Sequence, residues 1–177
     1  AQDHLRNHIE SGRVNLLQAD ALHLPFPAAS FDGAFICWLL EHVRDPVGVL
    51  TEVRRMLQPG GAIYCAEVQN ATLFMHPNSP NTMAYWRTYN DQQLALQGDP
   101  FVGAKMGNYL QAAGFTSIMT EPRIFHFDNR TPRERVEFMD YWTDLLLSGA
   151  AGLIHDGLTT QAVVDEVIRE LTTLKHD

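Results

Sequence analysis

The chain has 177 residues with 45% apolar and 19% charged side chains, a composition of one folded soluble domain with a real core and not of a disordered segment. Its 13 Lys and Arg against 21 Asp and Glu give a formal charge of −8, without a basic run, which argues against nucleic-acid binding. The longest apolar stretch, Ala34 to Leu40, is too short to span a bilayer, and no membrane association is expected.

The first ten residues, AQDHLRNHIE, are polar and unlike a secretion signal, so a cytoplasmic location is expected. Leu5 and Ile9 stand four apart, as in the last turns of a helix ending near Ser11-Gly12. His4 and His8 share the i, i+4 spacing that can grip zinc. No third ligand accompanies them, and no metal site is expected. Val14 to Leu17 reads as a short buried strand, followed by Gln18-Ala19-Asp20 and a loop containing Pro25 and Pro27.

Phe31 onward is β-rich, with a helical run open beyond Cys37. Asp45-Pro46 then supplies a capping carboxylate and a first-turn proline for a helix. Val49, Leu50, Val53, Met56 and Leu57 fall on one face of it, and Pro59-Gly60-Gly61 is expected to end it before a strand over Ala62–Val68. Strand, helix and strand in alternation predict a parallel sheet with a right-handed crossover. Cys37 and Cys65 lie within those strands and are expected as buried thiols.

Beyond Asn70 a loop over 71–81 leads to a helix from Thr82 to Gln97, broken at Gly98-Asp99-Pro100. The stretch Gly98 to Met106 resembles a phosphate loop only superficially. Its lysine is one place late and a helix precedes it. Lys105–Ala113 reads as a helix closed by Gly114, and Thr116–Phe127 as an extended segment interrupted by Pro122. Thr131-Pro132-Arg133-Glu134 has the form of a capping box, Gly149, Gly152 and Gly157 mark a flexible link, and a final helix carries Val163, Val164, Val167, Ile168, Leu171 and Leu174 inward. Tyr85, Trp86, Tyr89, Tyr141 and Trp142 either form an aromatic lid or bury helices against the rest of the molecule.

The ordered set Asp20-Ala21, Leu24-Pro25-Phe26, Ser30-Phe31-Asp32, Leu40-Glu41-His42-Val43, Asp45-Pro46, Leu50, Glu52, Leu57 and Pro59-Gly60-Gly61, with Gly114-Phe115 further on, resembles a class I S-adenosylmethionine-dependent methyltransferase. The detailed likeness covers residues 15–70. It implies an α/β fold: a Rossmann-like methyltransferase sheet, incomplete at the N-terminus, with helical cap segments. Residues 1–177 would form a single partial domain, with 71–100 and 131–157 as cap segments that choose the acceptor.

The resemblance also implies a cofactor, S-adenosylmethionine, and site residues. Asp20 would accept a hydrogen bond from the adenine amino group, the Ala21 amide would meet a ring nitrogen, and Leu22 would pack on the ring. Taken alone, Asp20 reads as a cap of the loop after a strand; within the ordered block the adenine role is favoured. Cys37 and Trp38 would stand at the end of a strand where open parallel sheets bind ligands. A backbone carbonyl there would face the methionine amino group, while the Cys37 side chain packs in the core. His42 would approach the ribose or the acceptor, or satisfy the start of the following helix. Glu67, a charge in an apolar strand, either reaches the acceptor pocket or pairs with a cation from the cap.

The implied activity is in-line transfer of a methyl group to a small organic acceptor, with His42, Glu67 and His76 as candidate bases. A homodimer is compatible with it. The family's glycine-rich first strand and acidic second strand precede the matched block and are absent from the sequence, so a fragment is expected, inactive alone. In the family's strand order, residues 14–19 and 31–37 would stand about 14 Å apart, three strand spacings. A further strand is also expected beyond Asp177. The alternatives are a non-catalytic binding or oligomerisation partner of similar fold and a dehydrogenase-like nucleotide binder. The latter is disfavoured because Pro59-Gly60-Gly61 leads into a strand.

Overall fold

A computed structural model describes residues 2–176, with side chains from His4 onward. Ala1 and Asp177, and with Asp177 the expectation of a strand beyond it, lie outside the described residues.

Helix α1 (Gln2–Glu10) ends as the sequence predicts, with Gly12 at φ +72° and the Arg13 amide returning to the His8 carbonyl. The strand expected at Val14–Leu17 is not formed. Leu16 and Leu17 are 44% and 58% exposed, and the sheet contains only β1 (Phe31–Cys37) and β2 (Leu57–Ala66) among the described residues. An apolar run becomes a buried strand only when a neighbour pairs with its backbone and another layer covers it; the described residues supply neither.

β1 and β2 pair in parallel, Ala34 opposite Ile63 and Cys37 opposite Ala66, with α2 (Pro46–Met56) as the crossover. The Asp45 carboxylate caps α2 by accepting the Gly48 amide at 2.8 Å. Val49, Leu50, Val53 and Met56 are all buried, as their spacing requires. The helix ends earlier than expected. Leu57 turns into extended geometry and pairs with Phe31, so Pro59-Gly60-Gly61 lies within β2 at a register irregularity, with Gly60 at φ +84°.

Ala34, Ile36, Ile63 and Cys65 face a core shared with α2 and α4 (Met106–Ala112), while Phe35 and Tyr64 stack on the opposite, exposed face with ring centroids 5.5 Å apart. The two cysteines sit on adjacent strands but opposite faces. Cys65 is half-buried, its thiol pushed up to about 11 first by burial and then by the Glu67 carboxylate; Cys37 is exposed. The expected core packing of Cys37 is therefore wrong, because the strand's alternation gives the inward place to Ile36.

A second core belongs to the helices. α3 (Pro80–Ala95), α5 (Pro132–Leu147), α6 (Ala150–His155) and α7 (Gln161–His176) enclose Tyr85, Leu146, Leu153, Val164, Val167, Leu171 and Leu174. Ile168, expected inward, is instead 41% exposed at its edge. α3 begins two residues before the expected Thr82. Its amino terminus has no cap from Ser79; the Glu170 carboxylate of α7 takes the Asn81 and Thr82 amides at 3.0 and 2.7 Å. The expected capping box at Thr131 does not close, for the Thr131 side chain makes no cap bond. The expected flexible link at Gly149–Gly157 contains helix α6.

The segment Thr116–Phe127, expected to be extended, carries no regular secondary structure; Ser117 takes φ +54°, and Met119, Ile124 and Phe125 are exposed. No helix among the described residues is long and apolar enough to cross a membrane.

Candidate functional site

The carboxyl ends of the two parallel strands form one rim of the site. The ladder closes with the Trp38 amide donating to the Ala66 carbonyl at 3.0 Å. Trp38 then adopts φ +50°, a left-handed conformation costly for a residue with a Cβ, and the chain turns away from the strand. A single 3-10 turn over Leu40–His42 follows and leads to Asp45 and α2.

Glu67, one residue past β2, crosses to this turn. Its Oε1 accepts the amides of Leu39 at 3.2 Å and Leu40 at 3.0 Å. Among the described residues Glu67 makes no salt bridge, the alternative expected for it; backbone donors meet the carboxylate instead. Its Oε2 is enclosed and has no hydrogen-bond partner. Burial pushes the Glu67 carboxyl above the usual carboxylate range. The two amides oppose that shift, the nearby Glu41 carboxylate adds to it, and His42 opposes it.

The same turn is held from the helical side. Gln93 of α3 donates from Nε2 to the Glu41 carbonyl at 3.2 Å and to Glu41 Oε2 at 3.0 Å, and lies 3.4 Å from His42 Nδ1. The Asp99 amide donates to that Glu41 carbonyl at 2.7 Å. Glu41 is buried, whereas the His42 side chain is 57% exposed with Nε2 3.6 Å from Glu41 Oε1. Gly98 and Gly103, which suggested a phosphate loop only superficially, have a packing explanation. A Cβ on Gly98 would stand 2.6 Å from the Glu41 carbonyl oxygen, and one on Gly103 2.6 Å from that of Val68.

The second part of the candidate site is the loop Asp20–Phe26. Asp20 Oδ1 accepts the Leu22 amide at 3.0 Å, an Asx turn, while Oδ2 lies 3.4 Å from His23 Nδ1. The Leu22 amide, then His23, hold the Asp20 carboxyl below its ordinary range. Ala21 packs on the core of the sheet. Leu22 reaches the first turn of α2, where its Cδ2 would lie 2.8 Å from a Cβ on Gly48. Glu52 and Arg55 of α2 fasten the rest of the loop. Glu52 Oε1 accepts the Leu24 amide at 2.9 Å, and Arg55 donates to the Phe26 carbonyl at 2.9 Å and the Leu24 carbonyl at 3.3 Å.

The structure thus sets Leu22 against the α2 amino terminus, with Asp20 and Ala21 beside it in the chain, and the segment Cys37–His42 leads into that same helix end. Glu67 joins the second group. His76 does not; it is exposed on the segment between the turn at Asn70–Thr72 and α3. Of the aromatic residues, Tyr85 is buried in the helical core and Trp86, Tyr89 and Trp142 pack beside it, Trp86 lying 5.8 Å from each of the other two rings. Tyr141 instead stands over Trp38, ring centroids 6.5 Å apart. Sequence reasoning missed Glu41, Gln93 and Arg55 as organising residues. No local pattern marks Gln93, whose partners lie 51 and 52 residues away. The two glycines around residue 100 were the available signal of close backbone approach.

The sequence model of a family described as "Methyltransferase domain" matches residues 1–65. The "O-methyltransferase rstn1" of Aspergillus nomiae is 38% identical over 81 residues, which are 46% of this chain and 34% of that protein. A "Demethylmenaquinone methyltransferase" of Geobacillus kaustophilus is 43% identical over 63 residues, 36% of this chain and 27% of its own length. Another protein of that description, from Desulfitobacterium hafniense, is 32% identical over 128 residues, 71% of this chain and 48% of its own. Among solved structures, the "[4+2]-Cyclase SpnF" aligns over 98% of this chain and 54% of that one at 22% identity, with a TM-score of 0.46. The matches cover between about a quarter and a half of these proteins' lengths.

Proposed function

We propose that the chain belongs to the class I S-adenosylmethionine-dependent methyltransferases and that the whole protein transfers a methyl group from S-adenosylmethionine to a small organic acceptor; the methyltransferase-domain match over residues 1–65 and the methyltransferase relatives support this reading. The observation that carries the reading is the geometry around α2. The Asp20 loop and the turn after β1 flank one helix end, in the chain order of the family's matched block.

The residues present fit the cofactor. Asp20 spends Oδ1 on the Leu22 amide, while its side chain is 66% exposed and its Oδ2 has only the longer His23 contact. A carboxylate so placed suits an exocyclic amine, because hydrogen bonds to charged acceptors are the stronger kind. In this reading Ala21 and Leu22 meet the adenine ring, and Cys37, Trp38 and His42 lie along the remainder of the cofactor. When bound, S-adenosylmethionine supplies a methyl group on a positively charged sulfur.

The chain's own residues then have separable tasks. Glu52 and Arg55 hold the adenine loop against α2. Trp38 and Tyr141 supply an apolar wall, and residues 71–100 and 131–157 shape the acceptor pocket. For an acceptor atom that carries a proton, the reading gives its removal to His42, supported by that ring's exposure at the rim, with Glu41 Oε1 3.6 Å from its Nε2.

Calorimetric titration of the full-length protein with S-adenosylmethionine tests the proposal. The wild-type protein is expected to bind, and Asp20→Ala to bind about tenfold or more weakly, the usual loss for a charged hydrogen bond. Absence of binding by the full-length wild type, or an unchanged affinity in Asp20→Ala, overturns the assignment.

A further inference from the structure

The turn from Trp38 to His42 combines two features that need support: a non-glycine residue at φ +50° and a reversal of the chain immediately after a strand ends. Such a conformation persists only where its surroundings over-determine it. Two supports are visible. Gln93 and the Asp99 amide hold the Glu41 carbonyl from the helical side, and Glu67 holds the Leu39 and Leu40 amides from the adjacent strand.

Glu67 is unusual in its placement. A single oxygen takes two consecutive backbone amides from residues 28 and 27 positions earlier, while its other oxygen is enclosed without a partner. A carboxylate that only needed satisfaction would remain in solvent; this one is carried inward at the cost of burial. Two consecutive amides aimed at one acceptor define the direction of the peptide planes on either side of Leu39, and hence where Trp38 and His42 project.

We propose that Glu67 is a positioning residue of the cofactor site, fixing through the Leu39 and Leu40 amides the turn that presents Trp38 and His42. This rests on the methyltransferase reading for the identity of the ligand, but the fixing of the turn stands on geometry alone. Oε1 is the atom that acts, and it acts as an acceptor, so its charge is dispensable. The upward shift of the carboxyl in its half-buried place agrees with this, since a neutral carboxyl keeps a carbonyl oxygen for the two amides.

The experiment uses the full-length protein as wild type, Glu67→Gln and Glu67→Ala, and reads amide hydrogen exchange at residues 38–42 together with S-adenosylmethionine affinity by calorimetry. Glu67→Gln retains an acceptor oxygen and is expected to keep both the protection of Leu39 and Leu40 and an affinity within about threefold of wild type. Glu67→Ala is expected to speed exchange at those amides by about tenfold or more, the range for a lost hydrogen bond to a charged or half-buried acceptor. Its affinity should fall by a similar factor while the amides of Val167 and Leu171 in α7 keep their protection, showing that the fold survives.

Unchanged exchange at Leu39 and Leu40 in Glu67→Ala overturns the proposal. So does faster exchange there with unchanged affinity, or a Glu67→Gln variant as defective as Glu67→Ala. Failure of the wild type to bind S-adenosylmethionine overturns the methyltransferase reading instead, and the exchange data still decide whether Glu67 fixes the turn.

Discussion

Replacing Gly98 by alanine tests the packing that holds the rim turn. The added Cβ would lie 2.6 Å from the Glu41 carbonyl oxygen and 3.0 Å from Cγ of Gln93, the first a backbone atom that cannot rotate aside. That carbonyl accepts from Asp99 at 2.7 Å and Gln93 at 3.2 Å, so moving it strains both bonds. Overpacking costs about 1–3 kcal/mol and loss of one hydrogen bond about 1 kcal/mol, offset by about 0.4–1 kcal/mol from the less flexible unfolded chain. A net loss of about 2 kcal/mol lowers Tm by roughly 4–8 °C in a domain of this size.

The matched control is Gly152→Ala in α6, where a Cβ meets nothing within 4 Å and helix propensity predicts a gain of about 0.5–1 kcal/mol. Thermal unfolding followed by circular dichroism reads both, and hydrogen exchange at the Asp99 amide reads the local effect. A Gly98→Ala variant that melts at or above the wild-type temperature refutes the reasoning.

Three further outcomes are expected. Glu170→Ala removes the carboxylate that accepts the Asn81 and Thr82 amides and the Thr82 hydroxyl, leaving the fully buried Thr82 unsatisfied; chemical denaturation should show a loss of about 2–4 kcal/mol, and a loss under about 0.5 kcal/mol would contradict the tertiary cap. The Glu52 carboxyl is held down to about 2 from an ordinary 4.5 by the Arg55 guanidinium and the Leu24 amide, so its contribution is full above about pH 4.5 and fades as pH falls toward 2; the wild type should therefore lose more stability than Glu52→Gln between pH 5 and 2, and equal losses would refute this. Residues 1–177 by themselves, offering only two paired strands among the described residues, should bind S-adenosylmethionine more weakly than about 100 μM; micromolar affinity in calorimetry would contradict that.

The sequence was most informative where structure depends on near neighbours. Asp45-Pro46 specified a capped helix start, the spacing of Val49 to Met56 specified its buried face, and Gly114 specified a helix end, where it takes φ +85°. It misled where a segment's state depends on a partner elsewhere. Val14–Leu17 has strand composition but no strand beside it, and Thr131 heads a capping pattern that does not close. For Cys37, the strand itself was correctly read, yet which alternate residues face the core was settled by where α2 and α4 pack.

For the site, the ordered residues from Asp20 to Gly61 already carried the methyltransferase likeness and marked the elements that hold the proposed site residues, because helix caps and strand-turn-helix order are written in short-range chemistry. The mutual support of those elements was not so written. Glu67 meets amides 27 and 28 residues away, Gln93 reaches back 52 to Glu41, and Gly98 is small because that same carbonyl presses against it. Contacts of this kind exist only after the chain has folded back on itself, so periodicity and propensity carry no trace of them beyond an unexplained charge or glycine.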